Sequence, residues 1–306
     1  MQICDDERQL ETYLEKERPQ GTLLVDRFLE GALEVDVDAL SDGSKTWVAA
    51  TMEHVEAAGV HSGDSACVLP PQGAGPGLID ELERQTREIA AALEAVGLLN
   101  VQFAVRDGQV YVIEANPRAS RTVPFVAKAT GVPLVRHALR LMLGEPLGRL
   151  PLPGPRRLGH VAVKEAVLPF ARFPGADPVL GPEMKATGEV MGLAGSFAEA
   201  FAKAQRGAGQ GLPREGAVFL SARDADKPEM VAVAARLAAA GLELVATDGT
   251  ARAIAAAGLD VTPVRKISEG SPHVGELIAR GEIQLVLNTP SGRGTQTDGA
   301  LSLIHI

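Results

Sequence analysis

The chain has 306 residues, 45% apolar and 23% charged, which allows about two domains and excludes a largely disordered polypeptide. A net charge of −9 excludes a general nucleic-acid coat, although a local anion pocket needs only a few side chains and backbone N–H groups. No apolar run approaches the ~20 residues that span a bilayer. The first residues carry no secretory pattern, and Cys4 and Cys67 make neither a disulfide framework nor a zinc spacing. A soluble protein of a reducing compartment is expected.

In chain order, residues 23–26 and 33–39 are predicted as strands, the second alternating apolar and acidic residues. Residues 79–98 are predicted as a helix, with Ile79, Leu82, Ile89, Leu93 and Val96 on roughly one face. Strands at 100–105 and 109–114 flank Arg106-Asp107-Gly108 as a hairpin, and 133–143 is a helix with proline in its first turn. The Pro/Gly-rich stretch 144–159 is a connector, and a domain boundary falls at 206–216. Beyond it, strands at 217–221, 243–247, 261–264 and 283–288 alternate with helices at 228–240, 250–257 and 273–280. That alternation predicts parallel βαβ units in an open sheet over about 210–299.

The hairpin carries the sharpest chemistry. Gln102 lies on one strand and Glu114 and Asn116 two apart on the other, an oxygen donor set that suits a hard cation such as Mg²⁺. A two-residue Asp107-Gly108 turn pairs Gln102 with Ile113 and sends Glu114 to the opposite face. A three-residue Arg106-Asp107-Gly108 loop keeps Gln102 and Glu114 together, so the metal reading requires the odd loop. The alternative is an edge hairpin with its polar face in water. Arg118 and Arg121 follow, suited either to neutralising a transferring phosphoryl group or to pairing with surface acids.

Residues 52–65 hold His54, His61, three acids and two glycines. No third ligand has metal spacing, so zinc is not expected; substrate positioning and a solvated capping loop both fit. In the last region, Ala246-Thr247-Asp248-Gly249-Thr250 joins a strand to a helix, as an anion site or a simple N-cap. Lys227 and Lys266 are within reach of the same sheet end, and Asn288-Thr289-Pro290-Ser291-Gly292 joins the same crevice.

These segments resemble the large subunit of carbamoyl phosphate synthetase. The likeness is carried by 53–65, by 100–134 with its Asn116-Pro117-Arg118-Ala119-Ser120-Arg121 core, and by 162–170, 180–191, 197–205 and 288–293. It implies an α/β chain: an α+β ATP-grasp portion with a mainly antiparallel sheet, then a doubly wound parallel effector domain similar to methylglyoxal synthase. Residues 1–209 would be the later part of the carbamate-phosphorylating half, with nucleotide and metal contacts within about 1–143 and a following segment at 144–209. Residues 210–299 would be the effector domain.

The resemblance implies ATP contacts at Arg27, Leu29, Glu34, Gly59, Val60, His61, Ser62, Gln102 and Glu114. Arg27 falls where the family varies, so little is expected of its side chain. Metal contacts are implied at Gln102, Glu114 and Asn116, and catalytic roles for Arg118, Arg121 and Asn116. Ornithine contacts match Glu56, Asp64 and Glu165, and a nucleotide-effector site for UMP or IMP matches Lys227, Thr247, Thr250, Lys266 and Asn288. ATP, Mg²⁺ or Mn²⁺, and K⁺ are the implied cofactors, a glutaminase small subunit the implied partner, and the cytoplasm the implied location.

The likeness also implies a fragment. The carboxyphosphate-forming half and the front of the second ATP-grasp unit have no counterpart, and Met1 aligns inside that unit. Residues 301–306 resemble the translation of a transposon-end adapter and are set aside as a non-native tail, which leaves the effector domain short of its last strand and helix. Little phosphoryl transfer is expected of this chain alone. A non-catalytic effector-binding module is the alternative of another class. Another ATP-grasp ligase, such as a biotin carboxylase, is disfavoured by the fused effector-type region.

Overall fold

The computed structural model describes all residues except 1, 2, 5, 19, 30, 57, 155–157, 174–177 and 290–306. The chain divides into two units: Met1–Leu168 with Leu180–Gln210, and Pro169–Val179 with the residues from Gly211 onward. Among the described residues no helix is long and apolar enough to cross a membrane.

The first unit begins with α1 (Glu7–Glu17), an exposed helix whose N-cap Asp6 accepts from the Gln9 N–H at 2.8 Å. Residues 21–29 form no strand, contrary to the expectation for 23–26. Leu24 is 86% exposed, and the segment is not one of the paired strands of the sheet, so a short apolar run alone does not make it a strand.

The sheet follows: β1 (Leu33–Asp42), β2 (Thr46–His54), β3 (Cys67–Leu69), β4 (Val96–Arg106), β5 (Gln109–Asn116), β6 (Val161–Val167) and β7 (Gly188–Ala194). Its order is β5-β4-β1-β2-β3-β6-β7 and every pairing is antiparallel. Four helices pack on it: α2 (Pro76–Ala92), α3 (Thr122–Thr130), α4 (Leu134–Met142) and α5 (Phe197–Gly207).

The helix predicted over 79–98 is shorter. Proline starts α2, Leu93 caps it, and Glu94 turns left-handed at φ 48°. Val96 has the spacing of the helical face, but with Leu98 it opens β4, opposite Asp42 and Leu40 of β1.

Alternation along β1 divides the core. Val35 and Val37 join Leu82, Leu99, Val101 and Phe103 beneath α2. Leu40 faces the other way, with Met52, Leu98, Val126, Leu134 and Leu141 under α3 and α4. At the far edge α5 lies close on β7: a Cβ added to Gly192 would stand 2.0 Å from the Ala200 carbonyl oxygen, so only glycine fits there.

The second unit comprises β8 (Ala217–Ala222), α6 (Lys227–Ala239), β9 (Glu243–Thr247), α7 (Asp248–Ala256), β10 (Thr262–Val264), α8 (Val274–Ala279) and β11 (Ile283–Thr289). All pairings are parallel, in the order β10-β9-β8-β11, as the strand–helix alternation predicts. Met230, Ala234, Ala251 and Ile254 of α6 and α7 cover one face, and Val274 and Ile278 of α8 the other. Wound on both sides, the sheet reverses its order beside β8, where such folds open a crevice at the strands' carboxyl ends.

Candidate functional site

The register of the β4–β5 hairpin decides what its polar residues do. The expected three-residue loop is not formed. Arg106 pairs with Gln109, so the turn is the two residues Asp107 and Gly108, both left-handed at φ 52° and 75°. Left alone, that turn would send Glu114 away from Gln102. A bulge corrects it: Phe103 pairs with Val112 and Gln102 with Glu114, which leaves Ile113 as the extra residue. Directly opposed residues share a face, so Gln102 and Glu114 stand side by side with Asn100 opposite Asn116.

Within this group Asn116 Nδ2 donates to Glu114 Oε1 at 2.8 Å, and Arg118 donates to Asn116 Oδ1 at 3.2 Å. Gln102 Nε2 donates to Glu34 Oε2 at 3.4 Å, and among the described residues nothing donates to its amide oxygen. One carboxylate and two amide oxygens on one face fit a hard divalent cation better than a soft one. Arg121, at the end of the same turn, reaches β7 instead, where its Nε lies 2.7 Å from Glu189 Oε1.

The nucleotide contacts implied by the resemblance fall beside this face. Glu34 Oε1 accepts from the Gly59 N–H at 3.1 Å. The Phe28 ring, between Arg27 and Leu29, fills the space of an absent Gly59 Cβ, which would stand 2.8 Å from it. The loop Val60-His61-Ser62 is tied by the His61 N–H to the Gly181 carbonyl at 2.8 Å. Buried Lys164 donates to the Ser62 and Ser65 carbonyls at 3.3 and 2.7 Å.

Of the acids that β1 adds to this face, the sequence pointed to Glu34 and missed Asp36 and Asp38. Glu34, Asp36 and Asp38 alternate along β1 and are all buried. His54 is the last residue of β2 rather than part of a polar loop, and each ring nitrogen lies 3.3 Å from a carboxylate oxygen, one of Glu34 and one of Asp36. Cys67 completes a cluster with Asp36 and His54 whose ligand-type atoms lie within 4.8 Å of one another. Burial by itself would drive the proton from His54. The Cys67 and Asp36 side chains outweigh it and hold the imidazole well above its ordinary pKa. The acidic alternation of β1 was the available signal; its burial was not visible in it.

Of the three implied ornithine contacts, two sit together. Burial raises the pKa of Glu56, and burial with the neighbouring Glu56 charge pushes Glu165 up to about 7. Glu165 also accepts from Gln205 Nε2 at 2.7 Å. Asp64 is committed elsewhere, its two oxygens accepting from the Lys185 and Ala186 N–H groups at 2.8 and 2.7 Å.

In the second unit Lys227, Thr247, Thr250 and Lys266 line one pocket of about 180 Å³ at the carboxyl ends of the strands, with Arg223, Gly249 and Thr289. Asn288 is one residue from that lining, paired with Ser221. Residues 290–293 and the 300–306 tail lie outside the described residues. Helix α7 starts at Asp248, two residues before its expected start, which sets Gly249 against Lys227 at its N-terminal turn.

Residues 1–150 match the family model described as "Carbamoyl-phosphate synthase L chain, ATP binding domain", and residues 229–303 match that of the MGS-like domain. The carbamoyl phosphate synthase large chain of Methanosarcina barkeri is 48% identical over 98% of this chain and 76% of its own length. Those of Methanothermobacter thermautotrophicus and Mesorhizobium japonicum are 50% and 51% identical over 98% and 96% of this chain, which spans 29% and 25% of their lengths. Among solved structures, the biotin carboxylase domain of a single-chain bacterial carboxylase is 20% identical, with a TM-score of 0.46 over 54% of this chain and 38% of that one.

Proposed function

The chain belongs to the carbamoyl phosphate synthase large-chain family, and from that premise we propose that it carries part of the site that phosphorylates carbamate with ATP. The pairing of Gln102 with Glu114, beside Asn116 and Arg118, carries the proposal. In the reaction a carbamate oxygen bonds to the γ-phosphorus of ATP while the bond to the β–γ bridging oxygen breaks, giving carbamoyl phosphate and ADP. Gln102, Glu114 and Asn116 would hold Mg²⁺ or Mn²⁺, which when bound neutralises phosphate charge and aligns the reacting oxygens. Arg118 and Arg121 stabilise charge on the transferring group. This transfer requires no covalent enzyme intermediate. Glu34, Gly59, Val60, His61 and Ser62 line the nucleotide, with Arg27 and Leu29 at its base.

We place the phosphorylating portion at 1–209 and the effector domain at 210–299. Glu56 and Glu165 take the cationic amines of ornithine, and Asp64 holds the loop at 185–186 beside its own; the second unit's pocket takes the phosphate of UMP or IMP. The complete enzyme, with K⁺ as a further ion, would draw ammonia from a glutaminase small subunit in the cytoplasm and feed arginine and pyrimidine synthesis. The test is calorimetric titration of this chain with Mg·ATP. Binding that Glu114→Ala abolishes is expected, and a wild-type chain that binds none overturns the reading. The pocket favours a second reading, a non-catalytic effector module, which UMP binding without Mg·ATP binding would select.

A further inference from the structure

Asp38 lies on β1, fully buried, and no step above uses it. Its carboxylate takes three side-chain donors. Asn100 Nδ2 and Ser120 Oγ donate to Oδ1 at 2.9 and 3.0 Å, and Thr122 Oγ1 donates to Oδ2 at 2.6 Å. Two of these donors flank Arg121, and the third stands opposite Asn116 across the hairpin. Besides Asp38, the turn between β5 and α3 has few long-range anchors, chiefly Arg121 on Glu189 and Met184. Its backbone hydrogen bonds, Arg118 N–H to Asn116 O and Val123 N–H to Ser120 O, are internal, and α3 has no side-chain cap. Among the described residues, the side-chain bonds tying 117–122 to other elements are those to Asp38, that of Arg118 to Asn116 at the end of β5, and those of Arg121 to Glu189 and Met184.

A leucine suits this face of β1 two residues further on, at Leu40. At position 38 a leucine would strand the buried Asn100 amide and leave the Ser120 and Thr122 hydroxyls, 2.7 Å apart, only each other to bond. The carboxylate is therefore matched to the turn. We infer that Asp38 is a positioning residue, pinning the 116–122 turn to the sheet and thereby fixing where Arg118 and Arg121 stand relative to Glu114 and Asn116. For what the arginines do, this rests on the phosphoryl-transfer reading; for whether the turn is pinned, it does not.

The experiment is hydrogen–deuterium exchange on the ligand-free 306-residue chain, paired with Mg·ATP titration. In Asp38→Ala, amides of 118–123 should exchange about tenfold faster or more, the scale of a lost hydrogen bond to a charged group, while those of 96–106 stay near wild type. Asp38→Asn, which keeps the shape and an acceptor, should restore most of the protection. Mg·ATP affinity should fall in the alanine variant and return in the asparagine variant, a rescue that general loosening of the fold would not give. Should Asp38→Ala fail to fold, Ser120→Ala/Thr122→Val removes the same bonds from the turn side and decides alone. Unchanged exchange at 118–123 overturns the inference, as does faster exchange with unchanged affinity. A wild-type chain that binds no Mg·ATP sinks the phosphoryl-transfer reading instead, and exchange then judges the pinning alone.

Discussion

Replacing Asp38 with asparagine removes one buried charge and leaves the side-chain shape intact, which isolates an electrostatic term. Burial, only partly offset by the Thr122, Asn100 and Ser120 hydrogen bonds and reinforced by the nearby Asp36 charge, pushes the pKa of Asp38 from 3.8 up to about 6. Two units of difference between folded and unfolded chains correspond to about 3 kcal/mol. The folded state favours the protonated form. That contribution is therefore fully present below the unfolded pKa and is lost as pH rises through the folded one. Between pH 4.5 and 7.5 the wild type should lose about 2 kcal/mol that Asp38→Asn does not. Groups that the substitution leaves alone cancel in the comparison. Urea unfolding followed by Trp47 fluorescence reads this directly, since Trp47 is the single tryptophan and lies on β2 of the first unit. A difference below about 0.5 kcal/mol, inside the error of extrapolation, would refute the reasoning. A reversed sign would mean that the three hydrogen bonds outweigh burial.

Gly192→Ala should destabilise the first unit by about 2–3 kcal/mol or more, because the new methyl meets the Ala200 carbonyl at 2.0 Å; the Trp47 unfolding midpoint measures it. In the second unit, Thr250→Val removes the acceptor of the Ala222 N–H, now bonded at 3.0 Å, and should cost about 1–3 kcal/mol in calorimetric unfolding. Lys227→Ala should weaken UMP binding about tenfold, the scale of one charge-assisted contact, with Asp224, its present partner at 2.6 Å, left in place. Equal affinity in titration would remove Lys227 from the phosphate site.

What the sequence revealed was local. The second unit's parallel sheet follows from short strand–helix repeats, each of which fixes its neighbour by a right-handed crossover. The β4–β5 hairpin follows from Asp107-Gly108, a dipeptide suited to two left-handed residues. Its register did not follow, because the bulge at Ile113 is set by how β4 and β5 pack and leaves no mark in the turn. Residues 23–26 are a short apolar run without a partner strand, and Val96 has the spacing of a helical face but a place beside β1. The buried acids were hidden for a similar reason: the partners of Asp38 lie 62, 82 and 84 residues away.

Those distant partners share a pattern that explains how a sheet with so many buried acids holds its loops. Several carboxylates near the polar face accept from segments that would otherwise be loose. Glu34 holds the Gly59 N–H, Asp38 the hydroxyls at 120 and 122, and Asp64 the N–H groups of 185 and 186. Glu53 accepts from the N–H groups of 72, 73 and 74 ahead of α2. A buried carboxylate is costly unless its lone pairs are filled, and unanchored backbone donors are costly when they lose water. Joining the two offsets both costs at one point and fixes the loop in register with the strand. The same reasoning accounts for the polarity change along β1. Glu34 and Asp38 face loops that need anchoring and Asp36 faces His54 of β2, whereas Leu40, on the same side, faces α3 and α4, which satisfy their own backbones and need only apolar contact.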